Sequence, residues 1–310
     1  MNEGPMVNKL IIANSIKKTS DTIRVIITDS GIGGVGIAAE LYRLLNENQS
    51  FIKAELIYFN ALFDEMSGYN VLPEWNQKIS HLDTAFQGMM RLQPDIILLA
   101  SNTLSVLFPH SLFALKPTIP VIGLIEIGVD YIRESLEYSP KSQVIVFATP
   151  LTISESVFRE KIIHFLPSER IIEHSCPGLE HAIGDGDYSK VLNLINRYVD
   201  EACLKLNFPD EGIIASLNCT HFGYYVGEFE SALRRTTTKN VQLLNPNIRL
   251  AQTLVKDTAV KEGTTNLSIQ FLSKVPFSKQ GINSILPRLE TISIQTANAF
   301  ANYSLIPDLF

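Results

Sequence analysis

The stretch Ile213-Ile214-Ala215-Ser216-Leu217-Asn218-Cys219-Thr220-His221 changes from an apolar run into a polar cluster. A continuous apolar run of this kind is typical of a strand in a parallel sheet that helices cover on both faces. Ligands of such sheets bind beyond the carboxyl ends of the strands, which would put Cys219 at the mouth of a site. The alternative is that Cys219 is a small core residue, since free cysteine is among the most buried residue types.

An alternation of strands and helices extends over the rest of the chain. Short apolar or β-branched runs predict strands at 24–28, 54–59, 95–100, 119–123, 143–148, 170–173, 212–217, 241–244 and 266–271. Helical periodicity predicts helices at 35–45, 73–91, 125–136, 188–206 and 248–260, with a tail helix at 281–299. Strands that alternate with helices form parallel βαβ units, so the pattern predicts an α/β fold of parallel sheets flanked by helices.

Composition excludes several classes of protein. The chain has 310 residues, of which 45% are apolar and 19% charged, as in an ordinary globular protein of about two domains. Its net charge of -6 argues against a nucleic acid or an anionic membrane surface as partner, because both require a concentrated basic surface. Three widely spaced cysteines are too few for a disulfide framework and fit a reducing compartment. The N-terminal leader, residues 1–21, has no secretory core, and no apolar run is long enough to span a membrane, so we expect a cytoplasmic protein.

Four predicted strand ends carry small polar residues, at 28–31, 100–103, 148–152 and 217–220. Asp29 precedes Asn102 by nearly the same number of residues as Thr149 precedes Cys219, which indicates an internal repeat. We therefore expect two similar lobes that each contribute two polar strand ends to a shared cleft. The first lobe would comprise residues 22–118 together with 248–310, and the second residues 119–247.

The residue types at these strand ends suit the binding of an acid and a proton transfer. Asn and Thr side chains can hold a carboxylate without net charge. A helix start and a nearby imidazole, such as that of His221, can lower the pKa of a cysteine and give a thiolate that acts as base or nucleophile. The glycine-rich turn at 29–34 would let the backbone approach a ligand, but its spacing matches neither a dinucleotide nor a P-loop fingerprint.

These motifs together resemble the aspartate/glutamate racemase superfamily, with glutamate racemase the most similar member in length and motif order. They are Asp-Ser-Gly-x-Gly-Gly at 29–34, Asn-Thr at 102–103, Thr-x-x-Thr at 149–152 and Asn-Cys-Thr-His at 218–221. The resemblance extends from about Val25 to Leu250, and the leader has no counterpart in it. It implies a 1,1-proton transfer without cofactor or metal, on a small-molecule carboxylate such as glutamate or aspartate. It also implies a place in amino-acid metabolism and peptidoglycan biosynthesis, and a possible homodimer.

The resemblance also implies roles for individual residues. Cys219 would be one acid/base, with His221 as its polar partner, while Asp29 would assist proton transfer on the opposite face of the substrate. The substrate's carboxylates and ammonium would be held by small polar side chains, namely Ser30, Asn102, Thr103, Thr149, Thr152 and Thr220.

The chain departs from the family at three places. Ser101 stands where the family has its first cysteine, and a hydroxyl is a poor base toward a carbon acid unless Asp29 activates it. The loop at 60–70 lacks the family's Asp and Pro-Tyr-Gly, with only Tyr69 matching loosely, which puts glutamate as substrate in doubt. The Cys176-Pro177 loop matches, but the glutamate that the family has there is not cleanly reproduced.

Three alternatives to a two-base racemase therefore stay open. The first is one-sided chemistry at Cys219, such as decarboxylation followed by protonation. The second is a catalytically silent protein that binds a carboxylate or amino acid. The third is that Ser101 is an introduced replacement of a cysteine.

Overall fold

The computed structural model describes residues 21–49, 51–64, 68–208, 211–237, 240–255 and 264–310. The strands in this part of the chain are β1 (Thr22–Asp29), β2 (Lys53–Asn60), β3 (Ile96–Leu99), β4 (Val121–Gly123), β5 (Gln143–Ala148), β6 (Ile171–Ser175), β7 (Ile213–Asn218), β8 (Val241–Leu244), β9 (Asn266–Ser273) and β10 (Ser304–Leu305). They form a six-stranded sheet in the order β10-β9-β2-β1-β3-β4 and a four-stranded sheet in the order β6-β5-β7-β8. Every strand pairing is parallel, which confirms the predicted fold class.

Helices flank both sheets. The longer ones are α1 (Val35–Asn48), α2 (Trp75–Arg91), α5 (Leu124–Tyr138), α9 (Tyr188–Cys203), α10 (Val226–Thr236), α12 (Lys279–Glu290) and α13 (Ile294–Ala301). The shorter ones are α3 (Asn102–Leu107), α4 (Leu112–Leu115), α6 (Pro150–Ser154), α7 (Val157–Ile162), α8 (Leu179–Gly184) and α11 (Pro246–Gln252). Three 3₁₀ helices lie at Phe108–His110, Ser168–Arg170 and Thr220–Tyr225. None of these described helices has the length and apolarity that crossing a lipid bilayer would require.

The central strands are apolar throughout because both faces of each sheet are covered. Val25 and Ile27 of β1 pack into the cluster on one face of the first sheet, and Ile26 packs into the cluster on the other. In the second sheet, all six residues of β5 and of β7 are buried. Each aliphatic side chain buried in this way contributes about 1.5–3 kcal/mol relative to an exposed one, and this burial is the main force that holds the parallel strands together.

The border between the lobes lies later in the chain than predicted. Strand β4 pairs with β3 in the first sheet, with Ile122 opposite Leu98, although residues 119–123 had been assigned to the second lobe. The chain therefore enters the second lobe through α5, after β4, which is an edge strand of the first sheet. On its return, Leu250 and Ala251 of α11 pack into the core of the first lobe.

The tail is two helices rather than the single helix predicted at 281–299. Helix α12 ends at Glu290 and α13 begins at Ile294, because the Ser293 hydroxyl caps α13 by accepting a hydrogen bond from the Thr296 amide (3.2 Å). Strand β10 was missed, since two residues carry no periodic pattern. Helix α11 ends at Gln252, short of the predicted helix 248–260, whose last five residues lie outside the described part, as does the leader up to residue 20.

Candidate active site

The carboxyl ends of β1 and β7 meet where the two lobes face each other. Asp29 is the last residue of β1 and is only 3% exposed. Its Oδ1 accepts a hydrogen bond from the Ser30 amide (2.7 Å), and its Oδ2 accepts one from the Gly34 amide (2.6 Å). The Thr220 hydroxyl, from the second lobe, donates to the same Oδ2 at 3.3 Å. Asp29 is thus fixed by its own turn and also contacts the opposite lobe.

Glycines in the turn after Asp29 allow the lobes to approach this closely. A Cβ atom on Gly33 would lie 2.3 Å from the Thr220 hydroxyl oxygen and 2.6 Å from Nδ1 of His221. A Cβ atom on Gly34 would lie 2.7 Å from the Ala100 carbonyl oxygen. Gly33 therefore admits the polar segment of the other lobe, and Gly34 packs against Ala100 of its own lobe. The approach of a ligand to this turn stays a prediction.

Ser101 lies two residues after the end of β3, at the start of α3, and is 4% exposed. Its hydroxyl oxygen accepts a hydrogen bond from the Leu104 amide at 3.4 Å and so caps the helix. Burial raises the pKa of Asp29, while His221 and a hydrogen bond from the Ser101 hydroxyl act in the opposite direction. Ser101 therefore lies beside Asp29 on the side of the first lobe, and its hydroxyl favours the ionised form of that carboxyl group.

Cys219 lies directly after β7, at the start of the 3₁₀ helix Thr220–Tyr225, with its Sγ 3.9 Å from Nδ1 of His221. Burial and the negative charge of Glu180 raise the pKa of Cys219 well above its ordinary value, although the amides of His221 and Phe222 favour the thiolate. The predicted lowering of this pKa is therefore wrong for the protein without substrate, because desolvation outweighs the helix start. Burial also lowers the pKa of His221, against the influence of Asp29 and Glu180, so that its imidazole is neutral.

Glu180 is a site residue that the sequence prediction missed. It is the second residue of α8, and its Oε2 is buried without a hydrogen-bond partner among the described residues. Burial alone would raise the pKa of Glu180, but the neighbouring His181 and His221 hold it below its ordinary value. A signal was present, since Glu180 follows the Cys176-Pro177 loop that resembles the family, but its spacing differs from the family's pattern.

The remaining predicted substrate contacts lie at the same strand ends. Ala148 pairs with Asn218, so Thr149 follows β5 beside the position where Cys219 follows β7. The hydroxyls of Thr149 and Thr152 lie 3.1 Å apart and are hydrogen-bonded to each other, in the first turn of α6. On the side of the first lobe, Oδ1 of Asn102 is buried without a hydrogen-bond partner among the described residues.

The loop after β2 differs from the one that the resemblance would require. Asn60 is buried, and its amide group donates to the Ser273 hydroxyl at 2.8 Å. Tyr69 is also buried, and its hydroxyl donates to the Ala61 carbonyl at 3.1 Å, so that this side chain has a structural role. Asn70 lies next to the site instead, with its Oδ1 3.4 Å from the Thr103 hydroxyl, while residues 65–67 are outside the described part.

Comparisons with known proteins agree with this arrangement. No model of a protein family matches the chain. A glutamate racemase of Clostridium novyi is 24% identical over 77% of this chain and 88% of its own length. A crystal structure of glutamate racemase from Francisella tularensis in complex with D-glutamate superimposes with a TM-score of 0.68 over 94% of this chain and all of that one, at 17% identity. An aspartate racemase of Picrophilus torridus superimposes with a TM-score of 0.53 over 78% of this chain and 97% of its own, at 14% identity. The resemblance that the motifs predict is therefore confirmed, and the chain is similar in sequence to glutamate racemases and has the fold that glutamate and aspartate racemases share.

Proposed function

We propose that this chain is a cofactor-independent amino-acid racemase of the aspartate/glutamate type, with Cys219 as an acid/base. The observation that carries the proposal is the meeting of two kinds of proton-transfer group between the lobes. Asp29 with Ser101 comes from one lobe and Cys219 with His221 from the other, and Thr220 joins them through its hydrogen bond to Asp29. An amino acid held between them would have one group on each face of its α-carbon.

The reaction moves one proton off the α-carbon and returns another to the opposite face. The thiolate of Cys219 takes the α-proton, and the electron pair left on the α-carbon is delocalised into the adjacent carboxylate. A proton from the Ser101 hydroxyl, replaced by one from the Asp29 carboxyl, then adds to the opposite face. Burial raises the pKa of Asp29, which favours the protonated carboxyl that this step requires.

Substrate binding would also generate the thiolate. In the protein without substrate the pKa of Cys219 is well above its ordinary value, so the group is a neutral thiol. The ammonium group of an amino acid beside Cys219 would stabilise the thiolate, since a nearby opposite charge favours the ionised form. Exclusion of water from the cleft would strengthen this effect and stabilise the carbanion-like transition state.

The substrate would be held by the polar strand ends. Their hydroxyl and amide groups suit carboxylates and an ammonium, and they belong to Ser30, Asn102, Thr103, Thr149, Thr152 and Thr220. The Francisella protein binds D-glutamate, which makes glutamate the first substrate to test. Aspartate is the second, because the loop at 60–70 departs from the family and places Asn70 beside Thr103.

The test is exchange of the α-proton in deuterated water, followed by NMR on both enantiomers of glutamate and of aspartate. We expect exchange for at least one of these acids together with loss of optical rotation. We also expect the enantiomer whose proton faces Cys219 to exchange faster, because Ser101 is the weaker group. Equal rates for both enantiomers would show that another base serves the Ser101 face, and no exchange for any of the four would refute the proposal.

One-sided chemistry is the second candidate, and a specific observation favours it. Cys219 follows β7, and the matching position in the first lobe is a serine, Ser101, beside the Asp29 carboxyl group. Decarboxylation of a substituted malonate needs only one acid, which Cys219 could supply as a thiol. Release of carbon dioxide from such malonates, without α-proton exchange of amino acids, would establish this candidate in place of the racemase.

Two further points remain predictions. The homodimer that the resemblance implies can be tested by sedimentation equilibrium, and the cytoplasmic location by fractionation of cells that produce the protein. A binding protein without chemistry would show amino-acid binding in calorimetry and no exchange at any pH.

A further inference from the structure

Tyr224 extends from the second lobe into the first, three residues after His221. Its hydroxyl donates a hydrogen bond to the Ile32 carbonyl at 3.1 Å and accepts one from the Gly36 amide at 2.9 Å. Both partners belong to the turn that follows Asp29 and to the start of α1. One side chain of the second lobe thus binds two backbone groups beside the carboxylate of the first.

The packing around Tyr224 leaves little room for a different arrangement. A Cβ atom on Gly36 would lie 3.0 Å from a ring carbon of Tyr224. Burial raises the pKa of Tyr224 far above its ordinary value, so the hydroxyl keeps its proton and remains a donor. Both hydrogen bonds are part-buried, so removal of the hydroxyl would leave two backbone groups with restricted access to water.

A second set of contacts attaches the same segment to the first lobe. The Nη1 atom of Arg288, from α12, donates to the Tyr224 carbonyl at 2.6 Å. The guanidinium carbon of Arg288 also lies 4.4 Å from the centre of the Tyr225 ring. Residues 224 and 225 are therefore bound to the first lobe through a side chain, a main-chain carbonyl and a ring. We call this set, made of Tyr224, Tyr225 and Arg288, the interlobe clasp.

The clasp lies within a few residues of both proposed proton-transfer groups. Ile32 is three residues after Asp29, and Tyr224 is five residues after Cys219, in the 3₁₀ helix that Cys219 precedes. Proton transfer to and from one α-carbon requires the groups on its two faces to be spaced to within a fraction of an ångström. We propose that Tyr224 is a positioning residue, whose hydroxyl sets the spacing between the Asp29–Ser101 side and the Cys219–His221 side. This inference rests on the proposed racemase function.

Tyr58 provides a comparison on the same turn. Its hydroxyl donates to the Gly31 carbonyl at 2.7 Å, but Tyr58 belongs to β2 of the first lobe. It therefore supports the turn without linking it to Cys219. Replacement of Tyr58 should loosen the turn alone, whereas replacement of Tyr224 should loosen the relation between the lobes.

The experiment compares Tyr224→Phe with Tyr58→Phe and with Tyr303→Phe, which removes a hydroxyl that accepts from the Phe277 amide (3.2 Å) within the first lobe. In Tyr224→Phe we expect kcat for α-proton exchange to fall about tenfold while KM changes less than about threefold. Hydrogen–deuterium exchange should become faster both at 31–38 and at 219–226. Tyr58→Phe should quicken exchange at 31–38 only, and Tyr303→Phe should leave both segments and kcat as in the wild type.

The outcomes separate this inference from the proposed function. A wild-type chain that exchanges the α-proton of no amino acid would refute the racemase. An active wild type with unchanged kcat in Tyr224→Phe would overturn the positioning role alone, whatever the hydrogen–deuterium exchange shows. A fall in kcat without faster amide exchange at 219–226, or an equal fall in Tyr58→Phe, would also overturn it, because the turn rather than the link between lobes would then be responsible.

Discussion

Ser101 and Cys219 occupy matching positions in the two lobes, and their backbone conformations are nearly the same. Each follows a buried strand and precedes a short helix, with φ and ψ of -150° and 125° at Ser101 and of -142° and 134° at Cys219. The side chains, however, have different partners. The Ser101 oxygen accepts from the Leu104 amide and lies beside Asp29, whereas the Cys219 side chain caps nothing and lies beside His221.

This difference shows how the same backbone arrangement can present two side chains with different acid–base properties. The Ser101 oxygen accepts the hydrogen bond that caps α3, and a hydroxyl gives up its proton far less readily than a thiol, whose free pKa is about 8.5. Cys219 has a polarisable sulfur that no structural hydrogen bond requires. We infer that Asp29 carries the proton on the Ser101 side and that Cys219 carries it on the other.

The largest expected effect is that of Cys219→Ala, which removes the thiol and leaves only the Ser101 side of the site. Exchange of the α-proton should fall by about 10³-fold or more for both enantiomers, since general acid–base groups contribute about 10²–10⁴-fold. NMR in deuterated water measures this loss. Cys203→Ala is the matched control, because Cys203 lies on α9 away from the cleft and should leave the rates unchanged.

Cys219→Ser sharpens the same comparison by placing a hydroxyl at both strand ends. If oxygen can replace sulfur whenever a carboxylate is near, this variant should keep much of the activity. We expect it to be nearly as slow as Cys219→Ala, since the partner of residue 219 is the neutral His221 rather than Asp29. A variant with more than about a tenth of the wild-type rate would contradict the assignment of Cys219 as acid/base.

Ser101→Cys makes the two strand ends alike by placing a thiol at both of them. A thiol at this position should raise the exchange rate of the slower enantiomer by about 10²-fold, because a thiolate is the stronger acid/base partner on that face. Ser101→Ala is the control, since it removes the same hydroxyl without supplying sulfur. If the slower enantiomer gains nothing from Ser101→Cys, then Asp29 rather than residue 101 limits the reaction on that side.

Much of the fold and part of this site could be predicted from the sequence. Periodicity located β5 and β8 to the residue and placed β1, β2, β9 and the helices α1, α2, α5 and α9 within a few residues, because burial leaves a strong apolar signal. It predicted no helix at the position of α10. It assigned β4 to the wrong lobe, since a three-residue strand does not reveal which sheet it joins. The tail was misjudged at Ser293, where a cap divides a continuous periodic pattern.

The contacts between the lobes could not be predicted from the sequence pattern. The repeat predicted that Asp29 and Cys219 would face one cleft, but not that Thr220 would bind Asp29 across it. Nor did any pattern place Tyr224 against Ile32 and Gly36, because these residues are close only after both lobes have folded. Burial of the cysteine, which reverses the expected direction of its pKa, is likewise a property of the assembled lobes.

The pH dependence tests which form of Cys219 acts in each direction. Burial raises the pKa of Cys219 above its ordinary value, so the thiolate is scarce at neutral pH. For the enantiomer whose proton Cys219 removes, kcat/KM for α-proton exchange with retention of configuration should therefore rise about tenfold per pH unit from about pH 7 to about pH 9. The other enantiomer loses its proton to the Asp29–Ser101 side, so its kcat/KM for exchange with retention should not rise with pH in this range. The kcat/KM of racemisation itself must be equal in the two directions at any pH, because the enantiomers have equal free energies. Parallel rises of exchange with retention for both enantiomers would contradict a one-thiol mechanism.

The smallest effect concerns Glu180, which distinguishes the surroundings of Cys219 from those of Ser101. Its negative charge raises the pKa of Cys219, so Glu180→Gln should lower that pKa and move the rising limb of kcat/KM to lower pH by up to about one unit. The rate of alkylation of Cys219 by iodoacetamide, measured on its peptide by mass spectrometry, should shift in the same direction. Glu169→Gln, at an exposed position of the same lobe, is the control and should shift neither profile. If Glu180→Gln lowers kcat without moving the pH profile, then Glu180 acts by orienting His221 and not through its charge on the thiol.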